Sequence, residues 1–81
     1  MEQSGLRELV EFITKALVDD PGAVSVRQVD GERGTVIEIR VAPADMGKVI
    51  GKQGRIARAL RAVVKAAAIR SGTRVMVEIL Q

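Results

Sequence analysis

Two helical patterns meet at Gly51-Lys52-Gln53-Gly54 with no linker between them. A short apolar segment, roughly residues 45–50, runs into the first glycine. A long amphipathic segment, about 54–71, starts from the second. Glycine admits the positive φ that so abrupt a reversal requires, so the turn dictates where two helices join. At about 100° per residue, Ile56, Leu60, Val63, Val64 and Ala67 gather on one side of the long helix. Arg55, Arg58, Arg61 and Lys65 gather on the opposite side. The apolar side is expected to pack on the rest of the fold, and the basic side to face solvent beside the turn. Any amphipathic helix needs a polar face, but here all four of these positions are positive, with no Glu partner at i+4.

The remaining chain reads as one further helix and three strands. Leu6, Leu9, Val10, Ile13 and Leu17 recur at helical spacing, which predicts a helix over 5–18 with Ser4 as its N-cap, ended by Pro21-Gly22. Val24 and Val26 alternate with Ser25 and Arg27. Ile37, Ile39 and Val41 alternate with Val36, Glu38 and Arg40. Strands over 23–29 and 35–41, joined through Asp30-Gly31-Glu32-Arg33-Gly34, make a hairpin. Asp45 is placed to cap the short helix. Residues 74–80 form a last strand, with Val75, Val77 and Ile79 on one face. The order is α-β-β-α-α-β. It predicts an α+β fold with a three-stranded mixed sheet and its helices packed on one face. At 81 residues the chain is expected to form one domain, 1–81.

Charge singles out the same region. The net charge is +3, but residues 1–44 carry five Lys/Arg against eight Asp/Glu, whereas residues 45–65 carry six Lys/Arg against Asp45 alone. A local excess of positive charge marks an anionic partner. There is no cysteine and no histidine, so disulfides and Cys/His zinc sites are excluded. No apolar run is long enough to span a membrane, and the N-terminus lacks a signal-peptide pattern. A cytoplasmic protein is expected, with no membrane association.

Rival readings of the glycine turn fail on spacing. A P-loop needs four residues between its first glycine and Gly-Lys, and a hydroxyl residue after the lysine. Here Gly47 stands one position too close to Gly51-Lys52, and Gln53 follows the lysine. A dinucleotide fingerprint needs Gly-x-Gly, which is absent. Nucleophilic catalysis has no Cys or His to use and no base near Ser4, Ser25 or Ser71. No enzyme and no cofactor is expected.

A Gly-x-x-Gly turn alone is a weak signal. Ile50 before it, Lys52 within it, Arg55-Ile56 after it and the α-β-β-α-α-β order around it make it specific. Together these resemble the K-homology (KH) domain, whose signature is Ile-Gly-x-x-Gly-x-x-Ile. Ile56 follows Gly54 by two positions rather than three, and Ala57 takes the third. The element order is similar to the type II arrangement. Val49-Ile50-Gly51-Lys52-Gln53-Gly54-Arg55 and the ending Arg74-Val75-Met76-Val77-Glu78-Ile79-Leu80 resemble the small stand-alone bacterial KH proteins, KhpA/YlqC-like. The likeness runs from about Leu6 to Leu80.

The resemblance implies a non-enzymatic protein that grips about four nucleotides of single-stranded RNA, acting as an RNA chaperone or post-transcriptional regulator. It also implies a homodimer or a complex with a second KH-containing protein. The residues carried over are Lys48, Ile50, Gly51, Lys52, Gln53, Gly54, Arg55, Ile56 and Arg58. Gly51 and Gly54 would let phosphate approach the main chain. Lys52, Arg55, Arg58 and Lys48 would supply charge, and Gln53 hydrogen bonds. Val49, Ile50 and Ile56 would floor the groove, and strand 35–41 would present backbone groups to base edges. The competing reading is a KH-like protein-interaction module without RNA binding. Such domains tend to lose the glycines or gain acidic residues in the loop, whereas this loop keeps both glycines and a lysine.

Overall fold

The structure, a computed structural model, describes residues 3–72 and 74–80. Helix α1 (Gln3–Leu17) is followed by a 3-10 turn at Pro21–Ala23 and strands β1 (Ser25–Gly31) and β2 (Gly34–Arg40). A second 3-10 turn at Pro43–Asp45 leads into α2 (Met46–Ile50), and a third at Lys52–Gly54 leads into α3 (Arg55–Ser71). Strand β3 (Val75–Leu80) closes the chain. The α+β class and the order α-β-β-α-α-β are as the sequence implies.

Helix α1 starts at Gln3, ahead of the expected cap at Ser4, whose side chain lies outside the described residues. Its buried stripe is Leu6, Val10 and Thr14, and Val18 continues it just past the helix. Thr14 is wholly buried because its hydroxyl donates to the Val10 carbonyl at 2.8 Å, so no polar group is left unsatisfied. On the solvent side Glu11 sits between Arg7 at 3.5 Å and Lys15 at 3.4 Å. Phe12 is 73% exposed and belongs to no core.

The sheet order is β1-β2-β3. β1 and β2 are antiparallel from Ser25↔Arg40 to Gly31↔Gly34, so the hairpin narrows to Glu32-Arg33, tighter than the five-residue turn expected. β2 and β3 are parallel from Thr35↔Val75 to Arg40↔Leu80. Parallel neighbours need a crossover, and α2, the glycine turn and α3 supply it. The sheet's packed face carries Val26, Ile37, Ile39 and Val77, with Val75 and Ile79 partly buried beside them.

Helix α3 presents Ala57, Leu60, Val64 and Ala68 to the core, each 4% exposed or less. Val63, expected on that face, is 44% exposed. The centre of the buried stripe falls between Val64 and Ala57, and Val63 lies about 100° from it at 3.6 residues per turn. Ala57 and Ala68 were not expected in the stripe. Their small side chains let the helix lie close to its neighbours.

Asp45 is 2% exposed, but no side-chain hydrogen bond caps α2. Its carboxylate instead accepts the N–H of Asp19 at 3.2 Å and of Asp20 at 3.1 Å. The expected cap is thus a tie between the end of the first helical segment and the start of α2. One carboxylate serves two neighbouring amides of the segment after α1 rather than the first turn of α2.

Candidate nucleic-acid interface

Helix α2 stops because Gly51 leaves the helical region, at φ 77° and ψ 172°. Its N–H still donates to the Gly47 carbonyl at 2.9 Å. A Cβ built on Gly51 would lie 2.7 Å from Cγ1 and 2.9 Å from Cβ of Ile56. Gly51 is therefore required both for its backbone conformation and for its lack of a side chain. Ile56 is half-buried in the notch this leaves. Ala57, one position on, is the residue that reaches the core. The two-residue spacing from Gly54 to Ile56 thus serves the glycine, and the usual third position serves the packing of α3.

The turn then changes hand. Lys52 is helical, Gln53 takes φ 58° and ψ 26°, and Gly54 takes φ 73° and ψ 16°. Gln53 is the only non-glycine residue with positive φ among those described. Gly54 donates to the Gly51 carbonyl at 3.1 Å, and the N–H of Arg55 turns back to the Lys52 carbonyl. Two of the amides that lead into α3 are thus used within the turn. Within the turn itself, the N–H groups of Lys52 and Gln53 have no acceptor among the described residues. A right-handed residue followed by a left-handed one lines up successive N–H groups around a concavity suited to an anion. No side chain caps α3, so the positive end of its dipole adds to the same field.

The charged residues divide into two sets. Lys48 bonds the Asp19 carboxylate at 3.1 Å and lies 3.8 Å from that of Asp45. The hydrogen bond and charge of Asp19 hold its pKa above the usual lysine value. Its charge is compensated, and it leans away from the turn toward the end of α1. Lys52, Arg55 and Arg58 are exposed, and no carboxylate pairs with them among the described residues. The guanidinium Nη2 of Arg58 donates to the Gln53 carbonyl at 2.8 Å.

The apolar floor is smaller than expected. Ile50 is 38% exposed and Ile56 half-buried, but Val49 is fully buried and belongs to the core. The expected reading strand, 35–41, is also displaced. It lies mainly in β2, the central strand, whose backbone pairs with β1 on one side and β3 on the other. The strand with a free backbone edge beside α3 is β3. Between them lies an open groove of about 490 Å³, with Arg61, Lys65 and Arg74 on its rim and Ile69, Met76 and Val77 among its apolar lining. Arg74 and Met76 were missed as candidates. Their alternation placed them on one face of a strand, but nothing local showed that this strand would be an edge. Among the described residues no three His, Cys, Asp or Glu side chains gather as metal ligands, and no helix is long and apolar enough to cross a membrane.

Comparison with known proteins converges on this architecture. The family model for the KhpA/KhpB KH domain matches residues 7–79. The chain is 60% identical over 73 residues to RNA-binding protein KhpA of Caldanaerobacter subterraneus subsp. tengcongensis, covering 90% of this chain and 97% of that protein. It is 59% identical over 75 residues to RNA-binding protein KhpA of Clostridium perfringens, covering 93% and 100%. Among solved structures, Era of Aquifex aeolicus, a variant crystallised with GDP and aluminium tetrafluoride, superposes with a TM-score of 0.59 at 21% identity. That superposition takes in 91% of this chain but only 29% of the Era chain, and shares the fold alone. By its sequence over nearly its whole length, the chain belongs to the KhpA/KhpB KH-domain family.

Proposed function

We propose that this protein is a non-enzymatic, cytoplasmic binder of single-stranded RNA that holds the sugar-phosphate backbone at the Gly51–Gly54 turn, as an RNA chaperone or post-transcriptional regulator. The observation that carries the reading is the pair of adjacent amides without acceptors, Lys52 and Gln53, beside the exposed cations Lys52 and Arg55, with which no carboxylate pairs among the described residues. The relatives named as RNA-binding proteins support the choice of ligand. Phosphate would accept from the two N–H groups. Lys52 and Arg55 would supply mobile charge, and Gln53 a side-chain amide toward phosphate or sugar oxygens. Bases would rest on Ile50 and Ile56 and extend toward the free edge of β3. No aromatic ring lies at the turn or in the groove lining, so base stacking on rings contributes nothing there. Affinity for one short strand is modest, and a second copy or a second KH-containing protein would raise it by adding sites. The exposed apolar side chains of Val63, Ile69 and Met76 are consistent with such an assembly.

The test is the double substitution Lys52→Asp with Gln53→Asp, read by mobility shift against single-stranded RNA. Binding is expected to vanish while circular dichroism and melting stay as in the parent, because both side chains are exposed. An unchanged affinity in the folded variant would move the reading to a protein-interaction module.

A further inference from the structure

Gln53 holds a left-handed backbone that a non-glycine residue adopts at a cost, and its side chain is exposed, so packing does not hold it there. Its carbonyl has a partner, the Arg58 guanidinium at 2.8 Å. Arg55, the other arginine next to the turn, makes no such contact among the described residues. The succession Lys52-Gln53 aligns the two free amides only while Gln53 stays left-handed. We infer that Arg58 is a positioning residue: it clamps the Gln53 carbonyl and keeps the turn shaped for an anion before RNA arrives. It does not act as a phosphate ligand itself. The inference rests on the RNA-binding reading above for its functional consequence, but not for the clamp.

The geometry makes a specific demand. If Arg58 offsets the conformational cost of Gln53, removing that cost removes the need for Arg58. Glycine at position 53 takes the left-handed region freely. A double-mutant cycle between Arg58→Gln and Gln53→Gly therefore separates the roles. With a uridine octamer as probe, Arg58→Gln is expected to weaken binding about fivefold in the parent, the order of one solvent-exposed hydrogen bond. In the Gln53→Gly background the same change is expected to cost less than about twofold. The salt slope should stay as in the parent, whereas loss of one phosphate contact would flatten it by about 0.7.

A second readout needs no RNA. The Gly54 N–H, bonded to the Gly51 carbonyl at 3.1 Å, reports whether the turn is closed. Its hydrogen exchange in the free protein should quicken about fivefold in Arg58→Gln, with the same melting temperature, and return toward the parent rate in the double variant. Equal losses of affinity in both backgrounds with a flatter salt slope would overturn the inference and make Arg58 a phosphate ligand. Unchanged Gly54 exchange in Arg58→Gln would overturn the clamp directly. If the parent protein bound no RNA, the functional reading would fall, and Gly54 exchange would still decide whether Arg58 holds the turn.

Discussion

At Gly51 two demands coincide, a positive φ and an Ile56 side chain where a Cβ would stand. Gly51→Ala is expected to cost about 2 kcal/mol in urea unfolding, from backbone strain and overpacking together. Part of that loss should return in Gly51→Ala with Ile56→Ala, which removes the collision but not the strain. The need for glycine was readable from the spacing of the two helical patterns. The left-handed state of Gln53 was not, because glutamine lacks the short local hydrogen bonds that mark Asn and Asp for that region. Lys48 shows a second kind of invisibility. Its place beside the turn in sequence suggested a ligand for phosphate, and its partner Asp19 lies 29 positions earlier, where no local pattern reveals it. The pairing has a pH signature. The folded-state pKa is raised, so the contribution of Lys48 to stability is complete below its unfolded pKa, near 10.4. It is lost as pH rises through the higher folded value. The difference in melting temperature between the parent and Lys48→Met should therefore shrink as pH rises above the usual lysine range. A difference that grew with pH would contradict the pairing.

Among the elements, α3 tests the assignment of faces. Val64→Ala should destabilise by about 2 kcal/mol because Val64 is 1% exposed in the core cluster. Val63→Ala should change stability by less than about 0.5 kcal/mol, as expected for a surface position. Equal effects on chemical denaturation would mean that α3 is rotated from the orientation described. Sequence periodicity placed this helix and its basic face correctly but blurred the apolar face, since Val63 reads as core by type and only the sheet decides its angle. The strands were legible as alternations, and the buried sets Ile37/Ile39 and Val77 fell on the expected faces. Their lateral order was not legible. Alternation says which side chains share a face, and nothing about which strand becomes central. That is why strand 35–41 reads as the one offering backbone groups to base edges, although it is paired on both sides and β3 carries the free edge beside α3. Asp45 was read as a local cap for the same reason, since its true acceptor role joins residues 25 and 26 positions apart.

For the molecule as a whole, electrostatics gives the simplest quantitative test. If about three phosphates are engaged, the logarithm of the binding constant should fall against log salt with a slope near −2. Replacing Arg61, Lys65 and Arg74 by Gln should flatten that slope for a decamer and leave it unchanged for a tetramer, if the α3–β3 groove extends the contact. Equal flattening for both lengths would show that these charges act at the turn instead. The charge census located the basic region correctly, and the fold explains its shape by bringing Arg74 from the far end of α3 to the rim beside Arg61 and Lys65. The crossover has a consequence in time. β1 and β2 close across a two-residue turn, whereas Thr35 meets Val75 only after 40 intervening steps of chain. Distant pairing is slower than local pairing because the loop entropy is paid first. The hairpin should therefore be an early event and the docking of β3 a late one. The glycine turn lies within the last segment to be pinned at both ends, so a nascent or partly folded chain should carry the positive charge before the turn takes its final shape.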